Sequence, residues 1–240
     1  MSSVAVWAIM TTNLDSSRRF WDQKAKANPY WYISSYGPYE GRDLEEFWRS
    51  GLNIWKEIKT TIHYSPSSSD GVVEIGCGIG RLTRAIAPEV KEVFSFDISK
   101  EMLELARENV PSNVKLNLAE GTSLSPIPNA CVDLALAYCV FQHLPSLADF
   151  ESYLRAMVRV TKPGGIIAFT ICARHWTWSL LPLMRLKGFM KSKLRLQPPD
   201  LYKKEWLGVR PSLAQIRSMC PVSLEVKYIG GGRTLLWGRV

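Results

Sequence analysis

The sequence predicts an α/β fold with a doubly wound, mostly parallel sheet of seven strands that ends in an antiparallel hairpin. From residue 72 onward, short apolar segments alternate with segments of helical periodicity, which is typical of parallel strands joined by crossover helices. Near the end of the chain, apolar segments at 223–229 and 233–240 flank three consecutive glycines. Glycines in so short a connection favour a tight hairpin turn.

The expected elements follow one another regularly. Strands are predicted at 72–75, 92–96, 114–118, 131–139 and 166–172, before the hairpin. Helices are predicted at 15–27, 43–62, 81–87, 99–109, 147–160 and 212–219, and residues 30–36 read as an aromatic loop. We divide the chain into an N-terminal helical and aromatic lid, residues 1–66, and a core, residues 67–240, with a basic insertion at about 174–205.

Composition limits the classes of protein. The 240 residues are 46% hydrophobic, which excludes intrinsic disorder, and no apolar run is long enough to span a membrane. The apolar run at 4–10 lacks the basic start and cleavage site of a secretory signal. The five cysteines lack metal-ligand spacing and mostly sit in apolar runs, so we expect reduced thiols, no metal and a cytoplasmic protein.

A glycine-rich loop follows the first strand. Gly76, Gly78 and Gly80 occupy alternate positions between a strand and a helix, and Glu74 precedes them. Glycine lets a ligand approach the backbone, because a Cβ would collide with it. A dinucleotide fingerprint would place its third glycine at position 81, where Arg81 stands. The loop is therefore interpreted as a site for a nucleoside with an amino-acid tail rather than for a pyrophosphate.

Asp97 is expected at the end of the second strand. A carboxylate in that position of a nucleotide-binding βαβ unit accepts hydrogen bonds from both ribose hydroxyls. The alternative is a structural role, in which Asp97 caps the helix predicted to begin at Ser99. The glycine loop and Asp97 together favour a nucleoside site.

Several segments resemble a known family in sequence order. Residues 72–83 resemble motif I of the class I S-adenosylmethionine-dependent methyltransferases, and residues 96–103 resemble their second strand and helix. Residues 119–126, 132–144 and 162–165 are similar to later motifs, with Glu120 where the family usually has Asp. The resemblance implies a Rossmann-like fold, S-adenosylmethionine as cofactor, and cofactor contacts from Glu74, Gly76, Cys77, Gly78, Gly80, Arg81, Asp97, Ile98, Met102, Glu120, Gly121 and Tyr138.

The implied activity is methyl transfer to an O, N or C atom of a small or medium-sized acceptor. Such a transfer is an in-line displacement, so positioning supplies much of the acceleration. Two alternatives stay open: methylation of RNA or a peptide recruited by the basic C-terminal region, and a non-catalytic S-adenosylmethionine-binding interaction protein.

Candidate acceptor residues fall beyond the carboxyl ends of the strands. His143 and His175 are candidate general bases because imidazole titrates near neutral pH. The alternatives are that His143 packs the following turn and that His175 is an exposed loop residue. N-terminal aromatic residues could form a lid that stacks on an acceptor or attracts the sulfonium; they are Trp21, Tyr30, Trp31, Tyr32, Tyr36 and Trp48. The alternative for Trp48 is a core position on its helix, and Trp176 is a further candidate beside His175.

Positive charge is concentrated near the C-terminus. The net charge is +8, and residues 171–240 hold 13 Lys and Arg against 3 Asp and Glu. This excess favours an anionic acceptor or peripheral contact with an anionic membrane. The alternative is a solvated cap whose lysine stems cover apolar surface. No basic–aromatic pattern supports nucleic-acid binding.

Overall fold

The computed structural model describes residues 3–34, 39–41, 43–172 and 204–240. Three helices precede the sheet: α1 (Ser3–Ala27), α2 (Pro29–Ser34) and α3 (Leu44–Thr61). Helix α1 begins well before residue 15, where the sequence predicted its start. The predicted loop at 30–36 is wrong for residues 30–34, which are helical because Asn28 Oδ1 accepts a 3.1 Å hydrogen bond from the Trp31 N–H and Pro29 suits a first helical turn.

Within the part of the chain that the structure describes, seven strands form one sheet, as predicted. They are β1 (Gly71–Ile75), β2 (Glu92–Asp97), β3 (Val114–Leu118), β4 (Val132–Ala137), β5 (Thr161–Cys172), β6 (Glu225–Tyr228) and β7 (Arg233–Arg239). Their order is β3-β2-β1-β4-β5-β7-β6. Strands β1 to β5 are parallel, and β7 is antiparallel to both of its neighbours. The predicted fold class is confirmed.

The other helices of the described ranges are α4 (Thr83–Ile86), α5 (Lys100–Arg107), α6 (Leu147–Val160), α7 (Lys204–Leu207) and α8 (Leu213–Met219). Helix α4 is shorter than the predicted helix at 81–87 and continues as a 3₁₀ turn, Ala87–Glu89. Pro88 explains the change, because proline has no N–H to donate to the preceding helical turn.

Both faces of the sheet are covered. On one face, Phe150 and Met157 of α6 pack with Phe169 of β5, and all three are fully buried. On the other face, Trp55 and Ile58 of α3 pack against β1 and β4 and are at most 1% exposed. Helix α3 is thus a structural layer of the core. Within the described ranges, no helix has the length and apolarity needed to cross a bilayer.

Candidate active site

A cavity of about 610 Å³ opens at the carboxyl ends of the parallel strands. Its walls come from the loop after β1, the end of β2, the loop after β4, helices α1, α2 and α7, and the start of β7. This is where an open α/β sheet is expected to bind its ligand. The predicted site residues on its wall are Tyr32, Glu74, Gly76, Cys77, Gly78, Arg81, Asp97, Ile98, Met102, Tyr138 and His143, together with Trp21.

Other predicted residues lie elsewhere. The wall formed by the described residues does not include Gly80, Glu120, Gly121, Tyr30 or Trp31. Tyr30 packs against Phe47, with ring centroids 5.1 Å apart, and Trp31 stacks on Trp206 at 6.4 Å. Tyr36, His175, Trp176 and the basic insertion lie outside the described residues.

Asp97 is held by backbone donors from two sides. Its Oδ2 accepts a 2.8 Å hydrogen bond from the Gly78 N–H, and its Oδ1 accepts a 2.9 Å bond from the Ser99 N–H. Ser99 itself caps α5, because its hydroxyl accepts the Met102 N–H. Each carboxylate oxygen of Asp97 retains a further acceptor position. Burial raises the pKa of Asp97 to about 6.

The glycine loop bends sharply beside Asp97. The N–H groups of Gly76 and Cys77 both donate to the Phe96 carbonyl, at 2.7 and 3.0 Å. Gly76 and Gly78 have φ angles of +73° and +55°, in the left-handed region that favours glycine. A Cβ at Gly76 would collide with Val140, and one at Gly78 would lie 2.7 Å from Ile33 Cδ1. Neighbouring side chains, and not a ligand alone, therefore require glycine here.

Glu74 is 2% exposed and stabilises the glycine loop through hydrogen bonds to its carboxylate. Its Oε2 accepts hydrogen bonds from the hydroxyls of Thr83, at 2.5 Å, and Ser95, at 3.5 Å. Burial raises the pKa of Glu74 to about 7. Its carboxylate thus ties β1 to β2 and to the start of α4.

Arg81 joins the loop to the N-terminal helices. Its guanidinium donates to Ser50 Oγ of α3 at 3.2 Å and to the Ile33 carbonyl of α2 at 3.4 Å. It also lies over the Phe47 ring, 5.4 Å from the centroid. The side chain that breaks the dinucleotide pattern therefore holds α2 and α3 against the cavity.

His143 is buried among aromatic rings. Its Nδ1 lies 2.6 Å from the Trp206 carbonyl oxygen, so Nδ1 carries the proton that it donates. Its Nε2 then accepts from the Gln142 side-chain amide at 3.1 Å. The ring contacts Trp21 and Trp206, with centroids 5.1 and 5.0 Å away. Burial lowers the pKa of His143 to about 4, so the imidazole is neutral at pH 7.

Sequence reasoning missed Trp206 and Arg233 as wall residues. Trp206 follows the basic insertion and belongs to no periodic pattern. Arg233 could have been found, because an antiparallel β7 must bring its first residue to the edge where β5 ends.

Residues 73–169 match the family model described as a methyltransferase domain. The match runs from β1 into β5 and includes the glycine loop, Asp97 and His143. This part of the chain is therefore a methyltransferase domain. The cofactor of this family is S-adenosylmethionine, and the carboxylate of Asp97 beside the glycine loop fits its ribose.

Curated relatives of this methyltransferase domain differ in their acceptors. The chain is 34% identical over 151 residues to malonyl-[acyl-carrier protein] O-methyltransferase of Pectobacterium atrosepticum, covering 62% of this chain and 57% of that protein. It is 28% identical over 115 residues to demethylmenaquinone methyltransferase of Bacillus licheniformis, covering 46% and 48%. The chain thus spans about half the length of the curated relatives it matches.

A solved structure shares the fold. The N-methyltransferase NodS of Bradyrhizobium japonicum, solved with S-adenosyl-L-homocysteine, superposes with a TM-score of 0.61. The two chains are 14% identical, and the superposition covers 93% of this chain and 97% of that one. At this identity the similarity establishes the architecture of the methyltransferase domain.

Proposed function

We propose that this protein transfers a methyl group from S-adenosylmethionine to an O, N or C atom of a small or medium-sized organic acceptor. The proposal depends on the geometry of Asp97. This residue lies at the end of β2 beside the glycine loop, and each of its carboxylate oxygens accepts one backbone hydrogen bond and can accept another. That geometry suits a ribose diol, since each hydroxyl can donate to one oxygen.

The cofactor half of the cavity lies around β1 and β2. Ile98 and Met102 supply apolar wall next to Asp97, and the Gly76–Gly78 turn lies on the other side. Bound S-adenosylmethionine supplies a methyl group on an electrophilic sulfonium. The residues of this chain position the two reactants and exclude water, and well-oriented reactants gain about 7 kcal/mol or more of the barrier in this way.

The acceptor half is bounded by aromatic and aliphatic side chains. Trp21 of α1 and Trp206 of α7 contact the ring of His143 after β4, and Tyr32 of α2 contacts Trp206. A cavity of about 610 Å³ lies within the usual range of small-molecule pockets. Its enclosure by three helices supports a small acceptor over a nucleic acid or a folded protein surface.

We propose a positioning role for His143. With a pKa of about 4, its imidazole is a weak base at neutral pH, and its Nδ1–H is committed to the Trp206 carbonyl. His143 therefore holds α7 and the aromatic wall in place. The general-base role of His175 stays a prediction.

We also propose the cytoplasm as the compartment. All five cysteines are free thiols, and Cys77 is buried. Cys172 donates from its Sγ to Gln142 Oε1 at 2.8 Å. Reduced cysteines in packed positions are typical of reducing compartments. Fractionation of cells that express the tagged protein tests this assignment.

A methyl-transfer screen tests the proposed function. The wild type, Asp97→Ala and the control Asp15→Ala, whose residue lies on the exposed side of α1, are incubated with radiolabelled S-adenosylmethionine and pools of metabolites, peptides and RNA. We expect label in the metabolite pool with the wild type and Asp15→Ala only. Label in the RNA or peptide pool would contradict the small acceptor. Cofactor binding with no transfer in any pool would favour an interaction protein.

A further inference from the structure

Arg233 lies at the end of the cavity that is distant from the cofactor half. Strand β7 is antiparallel to β5, so its first residue pairs with Cys172, the last residue of β5. Arg233 therefore reaches the same edge of the sheet as the glycine loop and lines the cavity with Gly231.

Asp97 and Arg233 face the cavity from opposite sides. The sheet places β2, β1, β4, β5 and β7 side by side, and neighbouring strands lie about 4.8 Å apart, so the span from β2 to β7 is roughly 19 Å. The acidic residues of the described wall, Glu74 and Asp97, belong to β1 and β2. The described wall thus carries its acidic residues on the cofactor side and Arg233 on the far side.

The guanidinium of Arg233 is held against a defined surface. It lies over the ring of Tyr138, 5.5 Å from the centroid. The backbone N–H of Arg233 donates to the Gly230 carbonyl at 3.0 Å, which fixes the start of β7. A Cβ at Gly231 would lie 2.8 Å from Arg233 Nη2, so the glycine turn makes room for the guanidinium.

Arg81 is the other arginine on the described wall. Arg81 donates to Ser50 and to Ile33 and thereby holds the N-terminal helices. Arg210 adds positive charge on the far side, where it acts together with burial to disfavour a charged His143. At this end of the cavity the guanidinium of Arg233 lies on the wall, Arg210 adds positive charge from outside it, and His143 is neutral, which favours an anion over a cation.

We infer that Arg233 binds a carboxylate or phosphate group of the methyl acceptor and thereby selects anionic acceptors. The inference rests on the proposed function, because it assigns the part of the cavity that faces away from Asp97. A guanidinium can donate two parallel hydrogen bonds to either oxyanion, and stacking on an aromatic ring preserves that plane. Tyr138 supplies the ring.

Calorimetric titrations of the protein saturated with S-adenosylhomocysteine test this site. The probes are benzoate, phenyl phosphate and the uncharged benzamide, which share one ring and differ in the charged group. We expect one or both anions to bind the wild type about tenfold more tightly than benzamide, the size expected for a charge-assisted bidentate contact. Whether benzoate or phenyl phosphate binds more tightly distinguishes a carboxylate from a phosphate acceptor.

Two variants on one strand provide the comparison. Arg233→Gln should remove the preference for anions and leave the affinity for S-adenosylhomocysteine unchanged. Arg239→Gln is the matched control, since Arg239 lies at the other end of β7 and donates to the Gly164 carbonyl. Equal binding of all three probes to the wild type would overturn the inference, as would an anion preference that survives in Arg233→Gln.

A second variant and a cofactor titration distinguish failure of this inference from misfolding and from failure of the proposed function. If Arg233→Gln does not fold, Arg233→Lys serves instead; it keeps the charge without the planar fork, so anion affinity should fall severalfold, and unchanged affinity would overturn the inference. Binding of S-adenosylhomocysteine is measured first. Its absence in the wild type would contradict the proposed function, and the same titrations of the free protein would still test Arg233.

Discussion

The hydroxyl of Ser99 donates a 2.6 Å hydrogen bond to the carboxylate of Asp22. One turn earlier on α1, the guanidinium of Arg18 donates to the carbonyl oxygens of Ile98 and Ala119, both at 3.2 Å. The side chains of Asp22 and Arg18 thus attach α1 to the segments that follow β2 and β3. The helix therefore closes the cavity next to the proposed ribose site.

Because α1 is attached in this way, S-adenosylhomocysteine should dissociate more slowly from the wild type than from a variant that lacks the Arg18 contacts. Arg18→Ala should speed the dissociation of S-adenosylhomocysteine by roughly three- to tenfold, because two hydrogen bonds worth about 0.5–1.5 kcal/mol each would be lost and partial exposure reduces the total. Stopped-flow fluorescence measures the rate. Arg19→Ala, at an exposed position of the same helix, is the control. Equal rates in the two variants would show that α1 does not retain the ligand.

Because Ile33 packs on Gly78, substitutions at these two positions should have non-additive effects on the free energy of unfolding. Gly78→Ala should cost about 1–2 kcal/mol because alanine is strained at a positive φ. It should cost more because its Cβ would lie 2.7 Å from Ile33 Cδ1. Gly164→Ala adds strain alone, since nothing lies within 4 Å of its Cβ position. In an Ile33→Ala background, the cost of Gly78→Ala should fall toward that of Gly164→Ala.

Urea denaturation of the single and double variants gives these free energies of unfolding. A coupling of about 1 kcal/mol or more between positions 33 and 78 is expected. Additive effects would mean that α2 does not rest on the glycine loop in solution.

The buried imidazole of His143 should titrate far below its ordinary value. Burial lowers its pKa from 6.5 to about 4. Protonation then favours the unfolded chain, so the stability that the neutral ring provides is full above pH 6.5 and is lost as the pH falls toward 4. NMR titration of the ring protons measures the pKa directly. A midpoint between pH 6 and 7 would contradict the buried, neutral imidazole and would restore His143 as a candidate general base.

Cofactor affinity should depend on pH through Asp97. Burial raises its pKa to about 6, and only the ionised carboxylate can accept from both ribose hydroxyls. Affinity for S-adenosylhomocysteine should therefore be full above pH 7 and fall as the pH decreases through 6, by up to about tenfold per pH unit. Glu74 titrates nearby, with a pKa of about 7, so Asp97→Asn is the necessary comparison. If Asp97→Asn keeps the wild-type pH dependence, another group is responsible.

Local sequence signals anticipated the cofactor half of the site. The glycine loop and Asp97 are adjacent in a strand–loop–helix–strand unit, so their proximity follows from the connectivity of β1 and β2. Whether Asp97 or Ser99 caps α5 required coordinates, because both residue types cap helices equally well. The structure assigns the cap to Ser99.

The acceptor half was less predictable, because its residues meet only through tertiary packing. Trp206 reaches His143 from 63 positions away, and Arg233 reaches Tyr138 across the intervening strand β5. The helix at Pro29–Ser34 was missed because its aromatic side chains carry no strong helical preference, while the cap at Asn28 lies outside the aromatic run.

Calorimetric titration with S-adenosylhomocysteine at pH 7.5 tests the central claim most directly. The wild type and Asp15→Ala should bind with the same affinity, and Asp97→Ala should bind at least about tenfold more weakly, since hydrogen bonds to a charged group contribute about 1.5–3 kcal/mol each. Thermal unfolding of each variant confirms that it is folded. Absence of binding to the wild type, or equal affinity in a folded Asp97→Ala protein, would contradict the assignment of this cavity as the S-adenosylmethionine site.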